Sequence, residues 1–377
     1  MEIKDLNKLL DKRGIFCSLS FIAYCIGFTY YSFYFFIKPV SHFFWFIDWI
    51  STQYFVNYFD FGFLRRGFLG SVFYPIFYWL DPSSNFKYFL IISIHILNFL
   101  IITLIFHTLI TKTLHLAKSI RHFCLCFFIL SPFGAMQFGF DVGRTDHYLF
   151  SILIISLWCL IKTKVWMCSI LLSISILIHE VSLFFSMPII VFCMYLLNRE
   201  YDLQKFIMEC TKIMVLPLLC VFVLFFYGTP EISRFSLLHS DLSSGIDGYV
   251  RGTFEPQLAY TVWWHKFAII FYSFLPLILV ARFFLVENRN FEPVYLSCLL
   301  PLLLFFFGVD YARWSFIIAI TCGYIFGIKF LLAPKDVRNP NKFDKLVFVI
   351  LLLPLGPIGI IEPLPLLNGL IELFEIE

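Results

Sequence analysis

Long apolar runs, interrupted by short clusters of charge, set the pattern of this chain. A helix that crosses a bilayer needs about 20 mostly apolar residues. The runs at 15–37, 88–111, 122–137, 147–161, 165–180, 181–197, 206–227, 267–286, 293–309, 314–332 and 345–361 predict eleven such helices. Several are short, and tilting or shielding by neighbours accommodates them. A further run, 68–80 (FLGSVFYPIFYWL), is too short to cross and contains Pro75, so it predicts an interfacial or re-entrant helix. The expected fold class is therefore all-α: a polytopic transmembrane bundle, with 1–377 forming a single integral membrane domain. The polar start, MEIKDLNKLLDKR, precedes a run too long for a signal h-region and lacking a small-residue cleavage site, so the first run predicts a span. No repeat of fixed period and no low-complexity tract is present.

Basic residues orient the bundle, because cytoplasmic loops of membrane proteins carry an excess of Lys and Arg. Placing the N-terminus in the cytoplasm puts 19 of the 28 Lys and Arg inside, including Lys112, Lys118 and Arg121, Lys162 and Lys164, and Arg199, Lys205 and Lys212. Making 68–80 a full crossing would move the Lys112–Arg121 cluster outside, which argues against it. Two long outer loops follow from this orientation. The first, 39–87, is rich in Trp and Phe, as suits segments lying at a bilayer surface. The second, 228–266, is the one long polar insertion.

Composition agrees: 60% of residues are hydrophobic and 14% charged, with a mean hydropathy of +0.86, against about 25% charged in soluble domains. The 51 Phe residues fit lipid contact, but the accompanying Ile, Lys and Asn usage is explained as well by an AT-rich genome. The 11 Cys mostly sit inside apolar runs without a CxxC pair, so no disulfide and no structural zinc is expected. A net charge of +3 gives no reason to expect a nucleic-acid partner. No cofactor is indicated; a divalent metal is compatible with the sequence but not called for by it.

Four acid–base motifs fall on the predicted outer side. Asp60-Phe-Gly-Phe-Leu-Arg65-Arg66-Gly67 places two Arg at the membrane surface, where guanidinium pairs grip phosphate bidentately; alternatively, Asp60 pairs with one of them to hold a turn. Asp141-Val-Gly-Arg144-Thr-Asp146-His147 opens a helix; alternatively, Asp146 serves only as its cap and Arg144 pairs with Asp141. His179-Glu180 interrupts an apolar run, where an ionisable pair is a functional hypothesis by default; a plain outer turn between two short spans is the competing reading. Asp310-Tyr-Ala-Arg313-Trp314 spaces acid and base one helical turn apart, which also suits an interfacial anchor. With His239, Asp241, Asp247, Arg251 and Glu255 of the second loop, these form a charged outer face. Such a face suits a substrate with a charged head and an apolar tail.

In architecture and motif style over the whole chain, this sequence resembles Wzy-type O-antigen and capsule polymerases and multi-spanning glycosyltransferases of the GT-C type. The resemblance implies a GT-C-like bundle and transfer or polymerisation of sugar units from a polyprenyl-diphosphate donor at the outer face of a bacterial inner membrane. Asp60 stands where GT-C enzymes carry a first-loop acid, although the adjacent acidic pair of metal-dependent members is lacking. Cations must then meet the diphosphate as charge grows on the leaving oxygen, and a base must take the acceptor proton. Arg65, Arg66, Arg144 and Arg313 are the expected diphosphate ligands, with Asp141, His147, Arg251 and Asp310 lining the substrate site. Asp60, Asp146, His179 and Glu180 are the candidate bases. Expected partners are membrane lipid, the lipid-linked oligosaccharide and other polysaccharide-assembly membrane proteins. The competing class is a flippase or transporter, which would carry charge at mid-depth in the bundle and two related halves.

Overall fold

The computed structural model describes residues 12–37, 53–79, 86–112, 118–130, 134–198, 202–228, 271, 274–278, 299–304, 311–332 and 341–352. Among these the regular structure is helical, without strands. The helices are α1 (Arg13–Ile37), α2 (Tyr58–Phe61), α3 (Gly67–Phe77), α4 (Phe86–Lys112), α5 (Lys118–Leu130), α6 (Ala135–Phe140), α7 (Asp146–Ile161), α8 (Val165–Ile178), α9 (Ser182–Leu197), α10 (Leu203–Tyr227), α11 (Tyr311–Leu332) and α12 (Lys342–Leu352).

The helices fall where the apolar runs predict them, mostly to within a turn at each end. Their boundaries have local causes. Asp202 caps α10 by accepting from the Lys205 amide at 2.7 Å. Asn341 and Asp344 cap α12 reciprocally, each side chain accepting from the other's amide. Over the predicted span 122–137 the described helices are α5, which reaches Leu130, and α6, which the non-helical Gly134 precedes.

Among the described residues two helices, Phe86–Thr111 and Leu203–Tyr227, are long and apolar enough to cross a bilayer. Among the described residues the all-helical class holds, and the count of eleven spans is not confirmed. The predicted runs 267–286 and 293–309 and the second half of 345–361 lie largely outside the described residues. Of the described helices, α7, α8 and α9 are short, with 16, 14 and 16 residues. At 1.5 Å per residue they reach about 21–24 Å, against about 40 Å for the 27 residues of α4.

Close backbone approach organises one side of the bundle. A Cβ on Gly27 of α1 would lie 1.9 Å from the Met136 carbonyl oxygen, and one on Gly139 of α6 would lie 1.9 Å from that of Tyr24. These glycines let α1 and α6 pack directly against each other, the small-residue mode of apolar helix association. On the other side α8 packs between α7 and α10, and α9 packs against α11. Ser169 Oγ donates to the Ile213 carbonyl and Ser173 meets Cys220, so α8 and α10 run side by side in the same direction. The core is one continuous apolar cluster that includes Phe16, Phe99, Leu153, Phe185 and Ile317.

Candidate functional site

The helix breaks bring the polar residues together. Helix α8 ends at His179, whose backbone is extended, and α9 starts three residues later. Across this break the Ser182, Leu183 and Phe184 amides donate to the His179, Glu180 and Val181 carbonyls, so the backbone groups freed by it are partly satisfied within the protein. Glu180 projects from the break toward the segment before α3. There Arg66 Nη2 donates to Glu180 Oε1 at 2.6 Å, and Arg66 Nε lies 3.2 Å from both carboxylate oxygens. Arg66 holds a left-handed backbone (φ 62°), rare for a residue with a Cβ. Burial works to raise the Glu180 carboxyl, but the Arg66 guanidinium overrides it and holds the group well below the usual carboxylate range. His179 Nδ1 accepts the Val181 amide and so carries no proton; its 3.4 Å approach to Glu180 is a contact, not an ion pair.

Asp60 sits in the four-residue helix α2, whose start is capped by the Asn57 side chain accepting from the amides of Phe59 and Asp60. The same Asn57 donates through Nδ2 to Asp60 Oδ2 at 2.7 Å, and the Tyr74 hydroxyl lies 3.5 Å from Oδ1. Asp60 is exposed, and among the described residues it forms no ion pair. The turn is therefore not held by an Asp60–Arg pair, since Arg66 engages Glu180. The half-buried Arg65 is anchored through its amide, which donates to the Gly228 carbonyl at 3.0 Å. Gly228 follows α10, where the long polar stretch of the sequence begins.

The Asp141–His147 motif is buried. Asp141, Arg144, Asp146 and His147 are 5%, 4%, 2% and 0% exposed, so none of them faces an open surface. Arg144 Nε lies 3.3 Å from Asp141 Oδ1, and Gln137 donates to the other Asp141 oxygen at 2.6 Å. His147 Nε2 donates to the Asp141 carbonyl at 3.1 Å. Asp146 stands in the first turn of α7, where its charge complements the helix dipole.

Three residues that hold this turn carried no prior expectation. His95, the tenth residue of α4, accepts the Gly143 amide at Nδ1 (3.1 Å) and donates from Nε2 to the Phe138 carbonyl (2.9 Å). Both ring nitrogens are committed, which fixes a neutral imidazole. The Tyr54 hydroxyl donates to the Gly143 carbonyl at 2.9 Å and meets the Tyr148 hydroxyl at the same distance. Gln53 Oε1 accepts the Thr145 amide at 3.3 Å. The signal for His95 was in the sequence, because it interrupts an apolar run just as His179 does.

Two polar centres result. One is the Arg66–Glu180 pair, on the same short segment of chain as Arg65 and the exposed Asp60. The other is the enclosed Asp141–Arg144–His147 turn, roofed by Gln53 and Tyr54. The aromatic rings of Tyr54, Phe73 and Tyr148, with centroids 5.7–6.3 Å apart, pack together beside the second. Asp310, Arg251 and the acids and His239 of the 228–266 stretch lie outside the described residues, as does the Arg313 side chain. Among the described residues no group of three His, Cys, Asp or Glu side chains converges as a metal site. No family model, no curated protein and no solved structure was found to match this chain.

Proposed function

We propose that the chain is a multi-spanning enzyme of the bacterial inner membrane. It transfers or polymerises sugar units from a polyprenyl-diphosphate donor on the periplasmic face, as in O-antigen or capsule assembly. The supporting observation is Asp60: an exposed carboxylate, oriented by Asn57 and Tyr74, on the same short segment as Arg65 and Arg66. In this reading the acceptor hydroxyl gives its proton to Asp60 while its oxygen bonds the anomeric carbon. The bond from that carbon to the diphosphate oxygen breaks, and the diphosphate leaves with the electron pair. Arg65 and Arg66 balance the charge that grows on it. Glu180 keeps Arg66 in place before the donor arrives.

Disrupting the gene tests the proposal through the surface glycan. Loss of a polymerase leaves lipid A capped by one repeat unit, and loss of a single-sugar transferase leaves a full ladder of altered mobility. An unchanged glycan contradicts both.

A flippase is the second reading, and one observation favours it. His95 lies nine residues inside α4, about 14 Å along its axis, and gathers Asp141, Arg144 and His147 there in the bundle interior. Buried ionisable groups beside helix breaks are what a transport pathway needs. Under this reading disruption removes the capped lipid A altogether, and lipid-linked units accumulate on the cytoplasmic leaflet.

A further inference from the structure

Away from the Asp60 segment, α8 and α10 enclose a groove of about 610 Å³ lined by Trp166, Met208, Thr211, Lys212, Val215, Leu216 and Leu219. The α10 positions recur at helical spacing and form one face. From Met208 to Leu219 that face runs about 16 Å, close to half of the ~30 Å hydrocarbon core of a bilayer. The groove is thus one leaflet long. Apart from Thr211 and Lys212 its lining is apolar.

Charge is confined to one end. The Ser169–Ile213 hydrogen bond sets the register of the two parallel helices. One turn earlier on α8 comes Trp166, which is exposed, and just before it the exposed Lys164 and Lys162. On α10 the Lys212 ammonium reaches back to Glu209 at 2.6 Å, toward the same end. Glu209 offsets Lys212 in part, so Lys162 and Lys164 carry the excess positive charge. Lys164 Nζ lies 6.0 Å from the Trp158 ring centroid, which places a second indole beside it. Basic residues with Trp at one end of an apolar groove match the head and tail of an anionic lipid.

We infer that this groove binds a membrane phospholipid with an anionic phosphodiester head. One acyl chain lies along Trp166, Met208, Val215, Leu216 and Leu219, and the head meets Lys164 and Lys212. The inference rests on the membrane reading above but not on sugar transfer, and the site is separate from the Asp60 segment.

The test is native mass spectrometry of the full chain, released from mixed micelles containing phosphatidylglycerol and phosphatidylcholine in equal amounts. The wild type retains phosphatidylglycerol preferentially. The K164Q/K212Q double variant loses roughly tenfold of that preference, with phosphatidylcholine retention unchanged. V215W, which fills the groove, lowers retention of both lipids while circular dichroism shows the helices intact. Equal retention of the two lipids by the wild type, or no effect of the double variant, overturns the inference. Displacement of the bound lipid by millimolar inorganic phosphate overturns it too, because a free-anion site is then present. A chain that stays dispersed without detergent and retains neither lipid overturns the membrane reading itself.

Discussion

At the scale of single residues, sequence spacing offered the local Arg144–Asp141 pair that the structure contains, but not the long-range one. The Asp60–Arg pairing it allowed is replaced by Arg66–Glu180, a contact over 114 positions that no local pattern encodes. Replacing Arg66 with Gln leaves Glu180 without its guanidinium. Because Glu180 is 38% exposed, water screens the loss, and a destabilisation of about 1 kcal/mol is expected in chemical unfolding. The pH dependence follows from the sign of the shift. The Glu180 carboxyl is held below its ordinary range, so its contribution is present above the unfolded value of about 4.3 and disappears as pH falls below it. Thermal melting of E180Q should therefore lose less stability than wild type between pH 5 and pH 3. Equal losses would show that the pair contributes nothing. His95 is the second case. His95→Ala leaves the Gly143 amide and Phe138 carbonyl without their partner in a buried site, at an expected cost of about 2–4 kcal/mol for the two groups.

At the scale of elements, the apolar runs place nearly every described helix, because burial of continuous apolar surface decides helix position here. Breaks were harder to read. The non-helical Gly134 ahead of α6 was hidden inside what reads as one apolar run. The close approach of α1 and α6 was also invisible, since it depends on which glycines face each other. Gly139→Val would press a branched side chain against the Tyr24 carbonyl. A loss of about 1–3 kcal/mol is expected, measured as reduced yield and lower melting temperature of the purified protein. Wild-type behaviour of this variant would mean that α1 and α6 are not packed as described.

At the scale of the whole molecule, the shortness of α7, α8 and α9 beside α4 is what permits ionisable groups to lie within the bundle. Sequence could not show this enclosure. It placed the Asp141 motif on an outer edge, whereas His95 draws the motif against the tenth residue of α4. Orientation remains the prediction of basic-residue counting alone. It expects single cysteines replacing Lys162 and Phe59, both exposed, to be labelled by impermeant maleimide from opposite sides. In intact cells Phe59→Cys is labelled, and Lys162→Cys only after permeabilisation. The reverse pattern inverts the bundle and removes Asp60 from the periplasm.

The central claim is that Asp60 serves chemistry on a surface glycan. It is tested most directly by complementing a disruption strain with wild-type and Asp60→Asn chains at matched protein levels and resolving the lipopolysaccharide ladder. Asn keeps the size of the side chain but cannot take a proton, so the account predicts a restored ladder with the wild type and the unrestored, disruption-type pattern with Asp60→Asn. A full ladder from Asp60→Asn would contradict it.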